Sequence, residues 1–289
     1  FAPYDVPYDL LPNSSRILTI YSTVDGVDWH YCHSISACGP HDNPFSQQYG
    51  ADIQYMPDAG LHLAFINAYD SENQQIYLDL KYSRDGINFH DFTDPHPFAK
   101  TANPFDWYFG ELFTNQEIVQ VGDRYYQLAT GTSLPHYFAE PLFRHNSQGE
   151  VTADDFKSVF ANRRFAEGLP YFESLGGWEG LAAHTRDGYF SVGVMSYRAD
   201  GWFGVRAGSD TGVFVTRPIQ GGGTLSVNAR VAEDGLLRIE LLDANGRALD
   251  TVTVGGDSIK TPVFTVPEGD FRLRVTARRA DLYTMYIEP

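Results

Sequence analysis

Residues 82–90 read Tyr-Ser-Arg-Asp-Gly-Ile-Asn-Phe-His, and residues 21–30 read Tyr-Ser-Thr-Val-Asp-Gly-Val-Asp-Trp-His. In each copy an aromatic-Ser strand end leads to an Asp-Gly turn, and another aromatic residue follows. Glycine supplies the positive φ that a tight hairpin needs. The Asp-Gly pairs begin at Asp25 and Asp85, and a period near 60 residues predicts blade-like β-sheet repeats. We therefore assign Asp25 and Asp85 to folding.

A second layout also occurs twice. Residues 52–65 and residues 117–129 both read as a strand, a turn with Asp and Gly, and a second strand. This predicts one four-stranded repeat over about 50–105 and another over about 110–165, with half a repeat in residues 1–40. From residue 189 onward, short alternating strands recur about every ten residues, which is typical of a β-sandwich.

Charge and aromatic content separate the chain into two parts. Residues 1–182 carry 24 acidic and nine basic side chains, whereas residues 183–289 carry 13 and 12. Eight of the nine histidines and three of the four tryptophans also precede residue 183. We therefore predict an all-β chain with blades in residues 1–182 and a C-terminal β-sandwich in residues 183–289.

Composition excludes some classes of partner. The net charge is −16, and the sequence contains no basic cluster, which argues against nucleic-acid binding. No apolar run approaches the roughly 20 residues needed to cross a bilayer. A neutral or cationic ligand suits the acidic front half better.

Several segments resemble the sandwich tail of propeller proteins related to the five-bladed glycosidases, a group that includes invertase-like, inulinase-like and arabinanase-like enzymes. The segments are Thr185–Val192, Val215–Pro218, Val227–Ala229, Ile239–Gly246 and Arg279–Tyr283. The hairpin at Leu80–Phe89 is similar to the blade hairpins of that group. The resemblance implies a five-bladed propeller, of which about three blades are visible, and an N-terminal portion of the same protein that completes it.

The resemblance also implies a carbohydrate substrate, no cofactor, and a secreted or periplasmic location. One departure from the pattern matters. The signature Trp-Met-Asn-Asp-Pro-Asn-Gly, which carries the nucleophile in the first blade of invertase-like enzymes, does not occur in this sequence. A first-blade carboxylate is therefore expected upstream or not at all.

Three carboxylates are the candidate catalytic residues. In such propellers the first strand of each blade lines the central funnel, so acids at these strand starts converge, and glycoside hydrolysis needs two of them. Asp52 heads one inner strand. Asp106 and Glu111 precede or begin the next, within a segment that includes four aromatic residues. The alternative is that Asp52 caps a turn and Asp106 holds a loop.

Aromatic and imidazole side chains near these acids are the candidate substrate contacts, because aromatic faces stack on sugar rings. We predict this role for Trp107, Tyr108, His136, Trp178 and Glu179. Glu173 is a weaker candidate of the same kind, and loop solvation is the alternative for both Glu173 and Glu179. Glu117 aligns with Asp52 in the repeat, and a solvent-exposed edge is the alternative for it.

Potential zinc ligands are dense between His30 and Asp42, but their spacing matches no standard finger. Three readings stay open for this segment: a metal site, a disulfide between Cys32 and Cys38, or reduced core and loop residues. We expect no metal. For the whole chain, the first hypothesis is a glycoside hydrolase or transglycosylase, and the second is a non-catalytic carbohydrate-binding or assembly protein with a degenerate propeller.

Overall fold

The structure is a computed structural model, and it describes residues 16–35, 46–57, 59–70, 75–92, 97–100, 106–114, 118–133, 136, 176 and 190–288. All the elements that these residues form are β-strands, so the predicted all-β class is confirmed. Within the same ranges, no helix has the length and hydropathy required to span a bilayer.

The chain divides into two compact units. The first comprises Phe1–Ile118 and Gln127–Met195, and the second comprises Val119–Tyr126 and Ser196–Pro289. The predicted boundary between residues 182 and 183 lies outside the described residues and stays a prediction.

The first unit contains a separate hairpin and a larger sheet. The hairpin pairs β1 (Leu18–Ser22) with β2 (His30–Ile35). Four antiparallel strands then follow in order: β3 (Ser46–Met56), β4 (Leu61–Asp70), β5 (Gln75–Ser83) and β6 (His90–Asp91). They occupy the place of the four-stranded repeat expected over about 50–105.

A second group of strands continues the sheet. It consists of β7 (Glu111–Thr114), β8 (Val119–Val121), β9 (Arg124–Thr132) and β10 (Phe190–Arg198). Both β7 and β8 pair antiparallel with β9, and β10 lies beside β9 in the strand order. β9 and β10 each contribute residues to both units, and β8 belongs wholly to the second unit.

The two groups meet at one parallel pair, Ile76 opposite Glu111. In the strand order, β4 and β5 lie between β3 and β7, so a flat sheet would hold β3 and β7 about 14 Å apart. The Thr114 hydroxyl nevertheless donates a 2.8 Å hydrogen bond to Asp52. The sheet must therefore curl enough to bring the side chain of Asp52 on β3 within reach of Thr114 on β7.

β4 is the most deeply buried strand of this unit. Residues from Leu63 to Asp70 are all buried, including neighbours that point to opposite faces, such as Phe65 and Ile66. A strand covered on both faces reads as a nearly continuous apolar run, which the sequence has here. Burial of this apolar area is the main stabilising term for the sheet.

The two Asp-Gly turns have the same internal bonding. Oδ1 of Asp85 accepts hydrogen bonds from the amides of Ile87 and Asn88 at 2.9 and 2.7 Å, and Gly86 has φ = 72°. Oδ1 of Asp25 accepts from the amides of Val27 and Asp28, each at 2.9 Å. The hydroxyls of Ser83 and Thr23 complete the two turns. Thr23, rather than Ser22, is therefore the counterpart of Ser83.

The second unit contains one seven-stranded sheet. Its strands are β11 (Val205–Ala207), β12 (Gly212–Val215), β13 (Ile219–Gln220), β14 (Gly223–Leu242), β15 (Ala248–Val254), β16 (Asp257–Val266) and β17 (Asp270–Glu288). The long strands β14 and β17 pair along most of their length, with a slip in register between Val231 and Leu236. Arg279 has φ = 45°. β16 pairs with the first part of β14, and β15 with the last part.

Side chains alternate on the last part of β14 and on β17. Apolar residues, such as Ile239 and Val275, enter the core. Charged residues point to the other face, where Glu240 accepts hydrogen bonds from Arg238 and Arg274 at 3.0 and 3.4 Å. Such alternation is typical of a sheet that packs one face on the core and turns its other, polar face toward solvent.

We predict that Asp85→Ala lowers the melting temperature, because the amides of Ile87 and Asn88 lose their acceptor. The amide of Asn88, followed by its side chain, holds the pKa of Asp85 well below its usual range. This stabilisation is therefore present above the ordinary pKa of 3.8 and disappears as the pH falls below it. Arg84→Ala in the same turn is the control. Equal melting of the two variants at neutral pH would contradict the role.

A second prediction concerns the carboxylate of Asp281, which accepts hydrogen bonds from Arg206, Arg230 and Tyr283 at 2.7, 2.9 and 3.1 Å. Burial pushes the pKa of Asp281 up, but these three donors outweigh burial and lower it. Because the side chains of Arg206 and Arg230 are 76% and 56% exposed, we expect only about 1 kcal/mol of destabilisation from Asp281→Asn at neutral pH.

This destabilisation should fade as the pH falls below 3.8, the ordinary pKa of an aspartate, because the lowered pKa of Asp281 stabilises the fold only above that value. Urea unfolding across this pH range measures it, with the exposed Asp210→Asn as the control. A difference that does not change with pH would count against the ion cluster.

Candidate functional site

Buried polar side chains are concentrated at one end of the first unit's sheet. Strand register places Ser46 opposite Asp70, and Asp70 opposite Gln75. Where β5 pairs with β7, Glu111 lies beside Ile76, the residue after Gln75. On its other side, Glu111 lies opposite Thr132 of β9. All five polar residues are buried. The sheet therefore presents a polar row across its strands, where a solely structural core would be apolar.

The turn before β7 is attached to this row. Nε2 of Gln75 donates to the carbonyl of Phe109 at 3.0 Å, and the amide of Gly110 donates to the carbonyl of Thr132 at 2.8 Å. The amide of Ile76 donates to the carbonyl of Gly110 at 2.9 Å. These bonds fix the start of β7, and with it the position of Glu111.

Glu111 and His136, both predicted from the sequence, are in direct contact. Nδ1 of His136 lies against Oε1 of Glu111. The Glu111 side chain is only 4% exposed, whereas the His136 side chain is 22% exposed. The carboxylate is thus the inner member of the pair, and the imidazole is the outer one.

Two tyrosines hold the imidazole ring. The rings of Tyr49 and Tyr69 meet the His136 ring edge-on, with centroids 5.0 and 5.1 Å away. The guanidinium of Arg16 lies over both tyrosines, 5.0 Å from the Tyr49 centroid and 5.5 Å from the Tyr69 centroid. Arg16 also donates to Oε1 of the buried Gln47 at 3.2 Å. These contacts restrict the imidazole to one orientation.

Asp52 lies on β3 and is tied to β7 through Thr114. It is half-buried, and burial raises the pKa of its carboxyl group, while the hydrogen bond from Thr114 partly opposes the rise. A carboxyl group with a raised pKa keeps a proton to higher pH, which is what a general acid requires.

Trp107 and Tyr108 pack on a small apolar cluster formed by Leu78, Leu112 and Ala129. A Cβ on Gly131 would come within 2.6 Å of the Trp107 ring, and one on Gly193 within 2.4 Å. The indole therefore lies directly against the glycines of β9 and β10. A sugar-stacking role for these two partly buried rings stays a prediction.

The other candidates are distributed differently. Asp106 begins the turn that leads to β7, where its carbonyl accepts from the amide of Phe109 at 3.1 Å, and its side chain is partly exposed. Glu117, Glu173, Trp178 and Glu179 lie outside the described residues, so their roles stay predictions.

Sequence reasoning missed Arg16, Tyr49, Tyr69 and Thr114. Tyr49 sits where the pairing of β3 with β4 slips by one residue, between Gln48 and Gly50. The Tyr-Gly dipeptide was the available signal, because a glycine inside a strand often marks a bulge that redirects a side chain. Arg16 and Thr114 carry no such signal.

The segment from His30 to Asp42 is described only as far as Ile35. Cys32 is a free thiol there, 3.1 Å from the Ser22 hydroxyl oxygen, and Cys38 lies outside the described residues. Within the described residues, no group of three or more His, Cys, Asp or Glu side chains is arranged to hold a metal ion.

No family model matches the chain, and no curated protein matches it. Among solved structures, one that matches is a glycoside hydrolase family 43 arabinoxylan arabinofuranohydrolase from Bacillus subtilis, in complex with cellotetraose. It is 12% identical, with a TM-score of 0.22, and the match covers 82% of this chain and 53% of that one. The chain therefore spans about half the length of this solved structure.

We predict that Asp52→Asn becomes progressively more stable than the wild type as the pH rises. The raised pKa of Asp52 means that its contribution to stability is full below 3.8, the ordinary value, and is lost as the pH rises through the folded-state pKa. Asparagine cannot ionise, and its carbonyl can still accept from Thr114. Unfolding at about pH 4 and about pH 7 checks this. The exposed Asp28→Asn serves as the control, and a pH-independent difference for Asp52→Asn would contradict the prediction.

Proposed function

We propose that the first unit is part of a β-propeller that acts on a carbohydrate, as a glycoside hydrolase or transglycosylase, between strands β3 and β7. The observation that carries the proposal is the hydrogen bond between Asp52 on β3 and Thr114 on β7, because it links two strands that each carry a candidate carboxylate. Adjacent first strands of neighbouring blades would produce this contact, and the two groups of strands would be the blades. The second unit would be the β-sandwich.

The environment of Asp52 suits proton donation. Burial raises the pKa of its carboxyl group, so it can hold a proton for a leaving oxygen. Glu111 has a different environment, because it is buried with its carboxylate against the imidazole of His136.

A carbohydrate fits the remaining chemistry of the site. Tyr49, Phe113 and His136 form a ring cluster beside Glu111, with the Tyr49 and Phe113 centroids 5.9 Å apart, and amphipathic rings suit sugars. The resemblance of the sequence to five-bladed glycosidases supports the same class of substrate. A secreted or periplasmic location, and upstream blades that complete the propeller, belong to this proposal.

One observation favours a second candidate function, that of a non-catalytic carbohydrate-binding protein. Glu111 is almost fully buried, and a carboxylate that no ligand can reach would serve only to hold His136 in place. In that case, sugars bind between the tyrosines without being cleaved.

We expect Asp52→Asn and Glu111→Gln to lower kcat about 100-fold or more on the sugar that the wild type cleaves, because each removes one group needed for proton transfer. A panel of neutral oligosaccharides, read by product release and by calorimetric binding, measures this. Asp28→Asn, which changes an exposed aspartate of the same unit, should retain wild-type rates. Binding without turnover in the wild type would support the second candidate instead.

A further inference from the structure

We propose that the outward face of the second unit's sheet binds a polysaccharide that carries carboxylates, that is, a chain containing uronic acid residues. This arginine face is defined by Arg238 and Glu240 of β14 and by Arg272, Arg274 and Arg278 of β17. The proposal rests on the carbohydrate-active function proposed above and names a class of carbohydrate for it.

Strand register gathers these side chains on one surface. In this part of β17 every second residue enters the core, so the three arginines point to the other face. Glu240 lies opposite Arg274, and Arg238 comes two residues before Glu240 on the same side of β14. The five residues are spread over positions 238–278, so the sequence shows no basic cluster, and the pairing of β14 with β17 creates one.

The charges of the second unit are segregated by this arrangement. Residues 183–289 carry 13 acidic and 12 basic side chains, so this part of the chain is close to neutral. The arginine face nevertheless combines four guanidinium groups with one carboxylate. Like charges this close on one sheet face repel each other, and exposed ion pairs contribute little to stability. The stability of the fold therefore does not account for the concentration of arginine.

Glu240 holds two of the arginines in position. Its carboxylate accepts hydrogen bonds from Arg238 and Arg274 at 3.0 and 3.4 Å, and its side chain is only 11% exposed. The side chains of Arg238 and Arg274 are 47% and 40% exposed. Each bond uses one of the five N–H donors of a guanidinium. The two guanidinium groups are thus pre-organised and still accessible, which lowers the cost of binding an anion.

Hydroxyl groups flank the guanidinium of β14. Arg238 has Thr276 of β17 on one side and Thr253 of β15 on the other. Val213 of β12, which is 61% exposed, continues the same row beyond Thr276. Threonine hydroxyls both donate and accept hydrogen bonds, as sugar hydroxyls do. The row therefore suits a ring that carries hydroxyls as well as a carboxylate.

The arginines select the anionic group of the ligand. A guanidinium presents a planar fork of N–H donors that binds the two oxygens of a carboxylate in parallel. In a carbohydrate, a carboxylate identifies a uronic acid. Residues 1–182 carry 24 acidic and nine basic side chains, which disfavours a carboxylate in that part of the chain. The carboxylates of such a polysaccharide would therefore bind to the arginine face.

Affinity electrophoresis of the full chain in gels that contain polygalacturonate measures this binding. The wild type should be retarded, and polygalacturonate whose carboxyl groups have been reduced to alcohols should have no effect. Arg238→Gln/Arg274→Gln should weaken the affinity about tenfold or more, because two charge-assisted contacts are lost. Arg247→Gln/Lys260→Gln removes the same charge at two exposed positions, so this control should keep the wild-type affinity.

A second double variant leaves the buried carboxylate with its partners. Arg272→Gln/Arg278→Gln keeps both hydrogen bonds of Glu240, so a weaker retardation cannot come from loss of that ion pair. It should weaken the affinity by a similar factor. Unchanged retardation in both double variants, or an equal loss in the control, would overturn the proposal.

Other occupants of the arginine face would give different results. Equal retardation by dextran sulfate would indicate an unselective contact with any polyanion and would overturn the preference for carboxylates. Self-association of the wild type in sedimentation velocity, abolished by Arg238→Gln/Arg274→Gln and without retardation by polygalacturonate, would assign the face to a second copy of the chain. That result would also overturn the proposal.

Retardation requires no turnover, so this proposal and the proposed function can fail separately. A wild type that is retarded by polygalacturonate but cleaves no sugar keeps the arginine face and overturns the hydrolase or transglycosylase function. A wild type that cleaves neutral oligosaccharides but is not retarded overturns only the arginine face.

Discussion

A carboxylate that is withdrawn from water needs a compensating partner, and the pairing of Glu111 with His136 meets this need. Glu111 begins β7 at the only described point where the two groups of strands in the first unit pair with each other, opposite Ile76. The turn before it is held by Gln75 and Thr132. The polar row, the position of His136 and the approach of β3 to β7 therefore depend on keeping Glu111 buried and satisfied.

Aspartates in this chain have two opposite uses. In the hairpin turns, Asp25 and Asp85 accept backbone amides in full solvent, which lowers their pKa and stabilises the turn. At the candidate site, Asp52 is partly removed from water, which raises its pKa. The fold therefore loses stability when the pH rises above the pKa of Asp52. Hydrogen bonding dominates in the first case and desolvation in the second. Asp25 and Asp85 thus stabilise the fold in their ionised form, whereas ionised Asp52 destabilises it. Functional carboxylates often have perturbed pKa values of the second kind.

Local patterns were sufficient for the strands and turns but not for the neighbours of a side chain. The Asp-Gly repeat, the alternation in β14 and β17, and the strand at Glu111 could all be predicted from sequence. The sequence predicts a sugar-stacking role for Trp107 from its place beside Asp106, but it does not predict that the indole lies against Gly131 and Gly193, which are 24 and 86 residues away in sequence. Glycines that make room for a distant ring leave no local trace.

Turn chemistry and strand period are encoded by neighbouring residues. The all-β class, the two Asp-Gly turns, and the choice of Asp52, Glu111 and His136 as candidates therefore follow from local sequence. Folding is needed to show that Glu111 touches His136 and that Asp52 meets Thr114. It is also needed to show that Arg16, Tyr49 and Tyr69 surround the imidazole. These residues come from separate strands and loops. Only the curl of the sheet brings them together, and curl depends on packing across strands, which no local pattern specifies.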